Sequence, residues 1–391
     1  MPILYSIACV SIALILYTYA GYPLILGVLG LLRRRPRPPA PPAVWPMVSI
    51  SLPVYNEEAQ IGQTLESLLA LDYPRDRLQI VVISDASTDR TDEIVKGFAD
   101  RGVELLRLAR RGGKTAAENV ARSHLRGEIV VNTDASIRLA RDSIKALVAW
   151  FGDPTVGVAS GRDVSISRVS RDANTGESGY VGYEMWVRSL ETRVDGIVGA
   201  SGSLYAIRAE LNRHVLPEAL SRDFAAALVA REAGYRAVSV PEAVCYVPRA
   251  PSLRREYRRK VRTITRGLGT LHYKRHLLNP LRYGVFAWML FSHKLCRWLV
   301  PWALAMLAVA VAALALVEPW ARVAAGAMGL GLALAGAGWL WPTERGMPRL
   351  LGIPAYLVAG NIAALHAWIR AFRGQLNPIW EPTRREPVRA G

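Results

Sequence analysis

Hydrophobic and polar positions divide the chain into an apolar start, a mixed middle and an apolar end. Residues 1–32 contain no charged side chain. At about 1.5 Å per residue, such a helix exceeds the roughly 30 Å hydrocarbon core of a bilayer, so this pattern predicts one transmembrane helix. A cleaved secretory signal would carry its basic residues before the apolar run, whereas Arg33, Arg34, Arg35 and Arg37 follow it. We therefore predict a permanent anchor with its start outside and Arg33 in the cytoplasm.

A second apolar block at 281–372 contains three candidate spans, at 297–317, 320–341 and 349–372. Gly and Ala are frequent in these spans, which favours close helix packing in lipid. Three spans would carry the C-terminal tail outside, whereas its basic residues favour the cytoplasm. Those residues are Arg370, Arg373, Arg384, Arg385 and Arg389. Either one segment is interfacial or re-entrant, or residues 281–298 contribute to a crossing. We predict a cytoplasmic tail.

Between the apolar blocks, short β-branched runs alternate with amphipathic stretches. The apolar runs are at 48–52, 78–83, 103–108, 129–132 and 156–160, and they are typical of strands covered on both faces. The stretches between them predict helices at 58–70, 89–99, 115–125 and 141–151. Such alternation predicts an α/β fold with a doubly wound parallel sheet. Ligands of these sheets lie beyond the carboxyl ends of the strands.

Composition and charge narrow the classes of protein that fit. Hydrophobic residues make up 51% of the chain and charged residues 21%, which excludes a disordered chain. A net charge of +17 indicates an anionic partner, which could be a membrane surface, phosphates or nucleic acid. The three cysteines, Cys9, Cys245 and Cys296, are far apart, which excludes a disulfide framework and a zinc module.

Acidic and hydroxyl side chains follow three of the predicted strands. These segments are PVYNEE (53–58), SDASTDRT (84–91) and DAS (134–136). Each alone could simply cap the next helix. Together they converge on one crevice, which predicts a site for a hydroxyl-rich or metal-chelated ligand. Gly112, Gly113 and Lys114 precede another predicted helix, and they suggest a phosphate contact through backbone N–H groups and a lysine.

Five motifs, in order, resemble those of glycosyltransferase family 2. They are SISLPVYNEE (49–58), VISDASTDRT (82–91), GGKTAAEN (112–119), TDAS (133–136) and GASGSLYAIR (199–208). The resemblance covers about 47–271 and implies the GT-A catalytic domain of membrane-embedded cellulose, chitin and hyaluronan synthases and of many exopolysaccharide transferases. The expected organisation is a transmembrane helix (1–32), a basic proline-rich linker (33–46), a GT-A domain (47–251), amphipathic interfacial helices (252–296), about three transmembrane helices (297–372) and a basic tail (373–391).

The resemblance also implies a role for individual residues. The positions that match those holding the nucleotide base and ribose are Pro53, Tyr55, Glu57 and Asp85. Lys114 matches the lysine near the diphosphate, and Asp134 matches the first aspartate of the DxD motif, which holds a divalent cation, Mg²⁺ or Mn²⁺. Asp223 matches the presumed catalytic base, and Arg262 matches the arginine of the QxxRW motif near the donor. The implied reaction is inverting transfer from a nucleotide sugar, with a UDP-sugar as the expected donor.

The sequence departs from the family pattern at three motifs. Ser136 replaces the second carboxylate of DxD, so we expect metal use with weaker binding. Arg222 stands where the ED motif has its acid. Arg259 and Thr263 replace the Gln and Trp of QxxRW. Because that Trp helps to bind the acceptor sugar in processive synthases, single-sugar addition is favoured over polymer synthesis.

These departures leave a second hypothesis open, that of a degenerate, non-catalytic subunit regulating a synthase. Retention of Asp85, Asp134 and Asp223 favours an enzyme. A transporter is a third hypothesis, but the apolar spans offer few polar residues beyond Asn361 and His366.

Residues 253–271 combine apolar positions at helical spacing with seven Lys or Arg residues. Nucleic-acid binding is one interpretation. Because this basic helix directly precedes the apolar block, binding to a membrane surface is preferred and a nucleic-acid partner is not expected. We therefore predict a multi-pass protein of the inner (plasma) membrane, with a cytoplasmic catalytic domain and a lipid-linked or growing saccharide acceptor.

Overall fold

The computed structural model describes residues 1–33, 36–166, 175–248, 252–342 and 346–376. Five arginines named above lie outside these ranges: Arg34, Arg35, Arg384, Arg385 and Arg389. The described residues form one eight-stranded sheet with helices packed on it, and apolar helices at both ends of the chain. Residues 36–47 contain no helix or strand, as the proline-rich linker predicts.

The sheet is parallel in its first half and mixed in its second. The strands are β1 (Val48–Val54), β2 (Leu78–Ser84), β3 (Val103–Arg107), β4 (Ile129–Thr133), β5 (Arg138–Leu139), β6 (Val156–Ile166), β7 (Leu204–Arg208) and β8 (Arg236–Pro248). Their order in the sheet is β3-β2-β1-β4-β7-β6-β8-β5. The predicted parallel pairing holds for β1 to β4. The strand that was not predicted is β7, which enters between β4 and β6 and is antiparallel to both, whereas β6 pairs in parallel with β8.

The predicted helices are present but shorter than expected. The helices are α1 (Pro2–Leu16), α2 (Tyr22–Leu31), α3 (Ile61–Leu69), α4 (Thr91–Lys96), α5 (Lys114–Ala121), α6 (Ser143–Ala149), α7 (Thr175–Val194), α8 (Ala209–Asn212), α9 (Arg222–Glu232), α10 (Leu253–Tyr273), α11 (Pro280–Leu290), α12 (Arg297–Leu314), α13 (Pro319–Leu340) and α14 (Arg349–Phe372). Helices α3 and α4 start late because the polar residues before them bond across loops. The Glu58 N–H, for example, donates to Asp89 Oδ2 at 3.1 Å.

Alternate strand residues feed hydrophobic cores on the two faces of the sheet. In β2, Ile80 and Val82 join the large core that also contains Leu65, whereas Val81 and Ile83 pack with Ala117 of α5. Full burial of one such aliphatic side chain stabilises the fold by about 1.5–3 kcal/mol. The apolar runs of the sequence therefore account for the position of the sheet between its helices.

Four helical stretches are long and apolar enough to cross a membrane in the described part of the chain. They are Pro2–Leu31, Pro280–Leu314, Pro319–Leu340 and Arg349–Phe372. The first and the last two correspond to predicted spans. The span predicted at 297–317 is continuous with residues 281–298 in one helical stretch of 35 residues, which is kinked at Gly284. That segment therefore lengthens a candidate span and adds no separate one.

Two of these long helices contain a π-helical turn, and the two turns lie side by side. The turns are Tyr17–Gly21, between α1 and α2, and Phe291–Cys296, between α11 and α12. Tyr17 Oη lies 2.6 Å from Ser292 Oγ and accepts a hydrogen bond from Trp288 Nε1 at 2.9 Å. Beyond the turns, α2 and α11 pack against α7 and α9 in one hydrophobic cluster. These helices therefore join the GT-A domain directly to the apolar bundle.

Helix α10 lies beside α14 along its length. Tyr257 Oη is 3.1 Å from His366 Nδ1, and a Cβ on Gly269 would lie 3.0 Å from the Leu376 side chain. The apolar residues of α10 are buried against protein: Leu253, Val261, Leu268 and Leu271. Helix α14 is therefore a main partner of the apolar face that the sequence pattern identified.

Candidate active site

A cavity of about 510 Å³ lies between the edge of the sheet and the apolar helices. The predicted site residues that line it are Glu57, Lys114, Asp134, Asp223 and Arg262. The predicted site residues outside its lining are Pro53, Tyr55 and Asp85. The structure thus brings the predicted diphosphate, metal and base positions together around one space. The nucleotide-base role of the other three residues stays a prediction.

Lys114 is the first residue of α5 and reaches across to the end of β4. Its Nζ donates to Asp134 Oδ1 at 2.6 Å and to the Gly202 carbonyl at 3.4 Å. Burial opposes the charge of this ammonium, but the carboxylates of Asp134, Glu118 and Asp223 outweigh burial and raise the pKa of Lys114. A charged lysine beside a helix N-terminus is suited to bind phosphate oxygens.

Asp85 positions the glycine loop that precedes Lys114. Its two carboxylate oxygens accept the N–H groups of Gly112 at 2.7 Å and Gly113 at 2.8 Å. Gly113 has φ +90°, a conformation that favours glycine. Asp85 is only 1% exposed, so this carboxylate acts on the loop in the ligand-free chain.

Hydrogen bonds join the loop after β1 to the loop after β2 and hold Glu57 at the edge of the cavity. Asn56 and Ala86 both adopt positive φ, +52° and +57°. The Asn56 side chain accepts the Thr88 N–H at 2.8 Å, and the Glu57 N–H donates to Thr91 Oγ1 at 2.8 Å. The polar residues of these motifs therefore shape the loops as well as offering ligand contacts.

Tyr55 is stacked by an arginine that the sequence motifs did not include. The guanidinium carbon of Arg111 lies 3.7 Å from the centre of the Tyr55 ring. This distance is typical of a cation–π contact. The contact joins the loop after β1 to the segment before the glycines.

The Asp134–Ala135–Ser136 triplet directs its two polar side chains towards the cavity. Asp134 and Ser136 line it, while Ala135 is buried and its carbonyl accepts Thr64 Oγ1 at 2.5 Å. A carboxylate and a hydroxyl are hard oxygen ligands that suit Mg²⁺ or Mn²⁺. The described residues contain no group of three His, Cys, Asp or Glu side chains that could hold a metal. A cation on Asp134 would therefore need the donor's diphosphate and water to complete its coordination.

Asp223 is the second residue of α9, and Ser221 occupies the N-cap position. Ser221 Oγ donates to Asp223 Oδ1 at 2.5 Å. A Cβ added to Gly202 would lie 2.7 Å from Asp223 Oδ2, so the approach of these two residues requires glycine. The carboxylate is thus held at a helix N-terminus, on a rigid element at the cavity wall.

Three further charged residues shape this site, and the motifs did not single out their roles. Glu118 is 2% exposed, and neither of its carboxylate oxygens has a hydrogen-bond partner among the described residues. Burial raises its pKa, although Lys114 and Arg222 act in the opposite direction. Its spacing of four residues from Lys114 on one helix is the signal that could have identified it.

Arg222, which stands where the family has an acid, holds two neighbouring segments together. Its guanidinium donates to Asn119 Oδ1 at 2.8 Å and to the Asn212 carbonyl at 2.7 Å. Arg266, one turn beyond Arg262, donates to Thr115 Oγ1 at 2.8 Å and to the Leu220 carbonyl at 2.5 Å. These arginines fix α5, α9 and α10 around the cavity.

An indole lines the cavity despite the loss of the QxxRW tryptophan at position 263. Trp298 of α12 packs edge-on against Phe224, with ring centres 6.0 Å apart. A Cβ on Gly267 would lie 2.8 Å from the same indole. Thr263 therefore favours single-sugar addition less strongly than the sequence suggested, because α12 supplies an aromatic surface in the same cavity.

A buried polar network forms the cavity wall near the apolar helices. Glu184 of α7 accepts hydrogen bonds from Arg297 and, at 3.1 Å, lies beside His293 Nε2. The opposite ring nitrogen of His293 is 2.5 Å from Glu191 Oε1, which also accepts Tyr22 Oη at 2.5 Å. Burial opposes the charge of Glu184, but His293 and Arg297 hold its pKa well below the ordinary value.

The sequence is similar to those of known glycosyltransferases. A model of glycosyl transferase family 2 matches residues 49–211. An N-acetylglucosaminyltransferase of Bradyrhizobium elkanii is 31% identical over 129 residues, which are 32% of this chain and 70% of that protein. The beta-monoglucosyldiacylglycerol synthase of Synechocystis sp. is 33% identical over 147 residues, 34% of this chain. The chain spans only 30% of that synthase and 42% of its counterpart in Nostoc sp..

A solved structure resembles nearly the whole chain. It is the mannosyltransferase PcManGT from Pyrobaculum calidifontis, in complex with GDP-Man and Mn²⁺. The likeness has a TM-score of 0.72 at 26% identity, and it covers 94% of this chain and 99% of that one. The fold is therefore the predicted GT-A fold, and the similarity extends into the helices at both ends.

Proposed function

Because the chain belongs to glycosyltransferase family 2, we propose that it is a membrane-integrated, inverting glycosyltransferase. It takes a sugar from a nucleotide sugar and transfers it to a lipid-linked or saccharide acceptor in glycolipid or polysaccharide synthesis. The observation that carries this proposal is the convergence of Lys114, Asp134 and Asp223 on one cavity that reaches the apolar helices.

The donor half of the proposed site binds the nucleotide diphosphate. Lys114 supplies a positive charge, and Asp134 with Ser136 supplies hard oxygen ligands at the same cavity. A divalent cation held there would neutralise charge on the leaving diphosphate. The motifs favour a UDP-sugar, and the GDP-Man bound to PcManGT makes a GDP-sugar the alternative donor.

The chemical step in this proposal uses Asp223 as the base. Its carboxylate accepts the proton of the acceptor hydroxyl while that oxygen attacks the anomeric carbon of the sugar. The bond from the anomeric carbon to the diphosphate breaks, the diphosphate leaves with its electron pair, and the anomeric centre inverts. The ammonium of Lys114 stabilises the departing negative charge.

The proposed location is the inner (plasma) membrane, with the GT-A domain on the cytoplasmic side. Arg33 follows the first apolar helix, and the basic residues of α10 lie where the domain meets the apolar bundle. Positive residues next to a span favour the cytoplasmic side, where anionic lipids attract them.

A screen of labelled nucleotide sugars tests the proposed function. Full-length protein in lipid nanodiscs is incubated with Mn²⁺ or Mg²⁺, bacterial lipid extract and radiolabelled UDP- or GDP-sugars. We expect one sugar to move into the lipid or saccharide fraction, with release of the nucleoside diphosphate. A non-catalytic, regulatory subunit would bind the nucleotide sugar but would release no nucleoside diphosphate. Absence of both binding and transfer across the donors would contradict both functions.

A further inference from the structure

The cavity wall next to the apolar helices is rich in cations. It contains Lys260, Lys294 and Arg297, and Glu184 is the carboxylate that pairs with Arg297. The carboxylates around Lys114, namely Glu118, Asp134 and Asp223, lie in the donor part of the same cavity. An anionic group is therefore favoured beside Lys294 and Arg297.

Arg297 and Lys294 lie at the start of an uncharged stretch of helix. No charged residue occurs from Trp298 to Val317, before Glu318. Twenty helical residues at about 1.5 Å each match the roughly 30 Å hydrocarbon core, so crossing by this stretch leaves both cations at headgroup depth. At this depth, cations are attracted to the anionic groups of lipids.

The guanidinium of Arg297 is only partly used by the protein. One of its terminal nitrogens, Nη1, donates to Glu184 and to Tyr180 Oη. Its Nε and Nη2 are buried and have no hydrogen-bond partner among the residues that the structure describes. The guanidinium also lies 5.7 Å from the centre of the Tyr183 ring, which leaves the two adjacent N–H groups without an acceptor on any described residue. Two adjacent N–H groups of an arginine match the oxygens of a phosphate.

Lys294 projects from the same helix towards the catalytic region. Its Nζ lies 5.4 Å from the centre of the Phe224 ring, next in sequence to Asp223, and its Cε would be 3.2 Å from a Cβ on Gly199. Within the described ranges its ammonium has an aromatic contact but no hydrogen bond and no ion pair. The ammonium of Lys294 is therefore not committed to the carboxylate of any described residue, and it lies beside the residue that follows the proposed base.

The cavity also offers a route for an apolar chain. Pro301 and Leu357 line it on the side of α12 and α14. Leu357 is 56% exposed, so the same side chain reaches the outer surface of the apolar bundle. A ligand could thus place a polar group beside Lys294 while its hydrocarbon part extends towards lipid.

We propose that Arg297 and Lys294 bind the phosphate of a lipid acceptor, in which that phosphate joins apolar chains to a hydroxyl-bearing headgroup. This inference rests on the proposed function, because the headgroup hydroxyl is the group that must reach Asp223. It adds an acceptor class, an anionic phospholipid or a lipid-linked phosphosugar, as opposed to a neutral diacylglycerol.

Binding of farnesyl diphosphate tests this site without a known acceptor. Full-length protein is placed in phosphatidylcholine nanodiscs, and its donor site is filled with UDP or GDP and Mn²⁺ so that Lys114 is occupied. Three probes are titrated: farnesyl diphosphate, farnesol and inorganic diphosphate. Nucleotide binding is measured separately, so its failure would count against the proposed function and leave the lipid result interpretable.

Lys294→Met and Arg297→Gln are the test variants, and Arg282→Gln, on the exposed surface of α11, is the matched control. Arg297→Gln removes the ion-pair partner of Glu184, so this variant could unfold. Lys294→Met removes no ion pair within the described residues, so it tests the site even in that case. Because a charged hydrogen bond to phosphate typically accounts for tenfold or more in affinity, we expect each test variant to weaken farnesyl diphosphate binding at least tenfold. Nucleotide affinity should change less than threefold.

Three results would overturn the proposal. Equal affinity for farnesol and farnesyl diphosphate would show that the site does not recognise the phosphate. Inorganic diphosphate binding as tightly as farnesyl diphosphate, with the same dependence on Lys294, would show a site for free phosphate and exclude the lipid. If Arg282→Gln weakened farnesyl diphosphate binding as much as Lys294→Met does, the specific role proposed for Lys294 would also be contradicted.

Discussion

The Nε of Arg222 lies 3.9 Å from the carboxylate of Glu118, yet neither carboxylate oxygen has a hydrogen-bond partner in the described part of the chain. The motif position that carries an acid in the family carries this arginine, and a carboxylate faces it from α5. The pair is buried, with both side chains less than a tenth exposed. Because the two groups are too far apart for a hydrogen bond, the pair offsets little of the free-energy cost of burying the Glu118 carboxylate.

Glu118→Gln should therefore raise the melting temperature of the ligand-free protein. Burial raises the pKa of Glu118 in the folded state above the ordinary glutamate value of 4.5. Its ionisation therefore opposes folding as the pH rises from 4.5 through the folded-state pKa, and this opposition is complete above it. The gain in melting temperature should be larger at pH 8 than at pH 5. Thermal unfolding in detergent measures it, with the exposed Glu242→Gln as control. A lower melting temperature at pH 8 would contradict the assignment.

Asp223→Asn should abolish most transfer while the protein still folds. Asparagine can keep the hydrogen bond from Ser221 but cannot accept the proton of the acceptor. Since general base catalysis typically contributes about 10²–10⁴ in rate, we expect at least a hundredfold loss of transfer. Nucleotide affinity should stay within threefold of the parent, as measured by calorimetry. The exposed Asp100→Asn is the matched control. Transfer within a few-fold of the parent would assign the base to another group.

Asp134→Ala should weaken nucleotide binding only when a divalent cation is present. We expect the parent to bind UDP or GDP at least tenfold more tightly with Mn²⁺ than in chelator, and the variant to lose most of this difference. In chelator the variant should bind nucleotide at least as tightly as the parent, because removal of the Asp134 carboxylate leaves the Lys114 ammonium to bind phosphate. Unchanged turnover of the parent after verified metal removal would contradict the metal role.

Gly202→Ala should reduce transfer by displacing the proposed base. The added Cβ would lie 2.7 Å from Asp223 Oδ2, so one of the two residues must move. We expect a loss of tenfold or more in kcat with little change in nucleotide affinity. Gly182→Ala is the control, because a Cβ there meets no atom within 4 Å. A fully active Gly202→Ala enzyme would show that the position of this carboxylate does not matter for the reaction.

A fluorescent protein fused after Gly391 should fluoresce, which reports a cytoplasmic tail. Helix α14 is apolar enough to span, but it lies beside the strongly basic α10. A central Lys or Arg costs about 2.5–3.5 kcal/mol on insertion, so α10 should remain at the membrane surface, and α14 with it. Two crossings after the GT-A domain then return the tail to the cytoplasm. Activity of a periplasmic reporter at the same position would exclude this arrangement.

The sequence predicted the parts of the fold that depend on local pattern. The parallel half of the sheet, the apolar helices and the order of the polar loops all follow from periodicity and turn residues. The antiparallel β7 was missed because Leu204–Arg208 follows a glycine-rich segment and is only five residues long. Nothing local indicated that it would enter between β4 and β6.

Site residues that belong to a sequence motif could be predicted. Site residues that reach the cavity only through contacts between distant segments could not. The resemblance gave Lys114, Asp134 and Asp223 roles in one reaction, and all three line one cavity. Arg297 and Trp298 were interpreted only as part of a span, because their contribution arises when α12 packs against α7 and α9. Asp85 shows the converse, because its motif indicated a ligand contact whereas its carboxylate holds two backbone N–H groups.

The paired π-helical turns have a consequence for the proposed transfer reaction. Tyr17 and Ser292 join two helices where they leave the apolar bundle for the GT-A domain, and beyond these turns both helices pack in one hydrophobic cluster with α7 and α9. In a membrane-integrated enzyme this packing would hold the catalytic carboxylate at one height above the lipid surface. Acceptor hydroxyl groups would then be selected by their distance from the bilayer as well as by their chemistry.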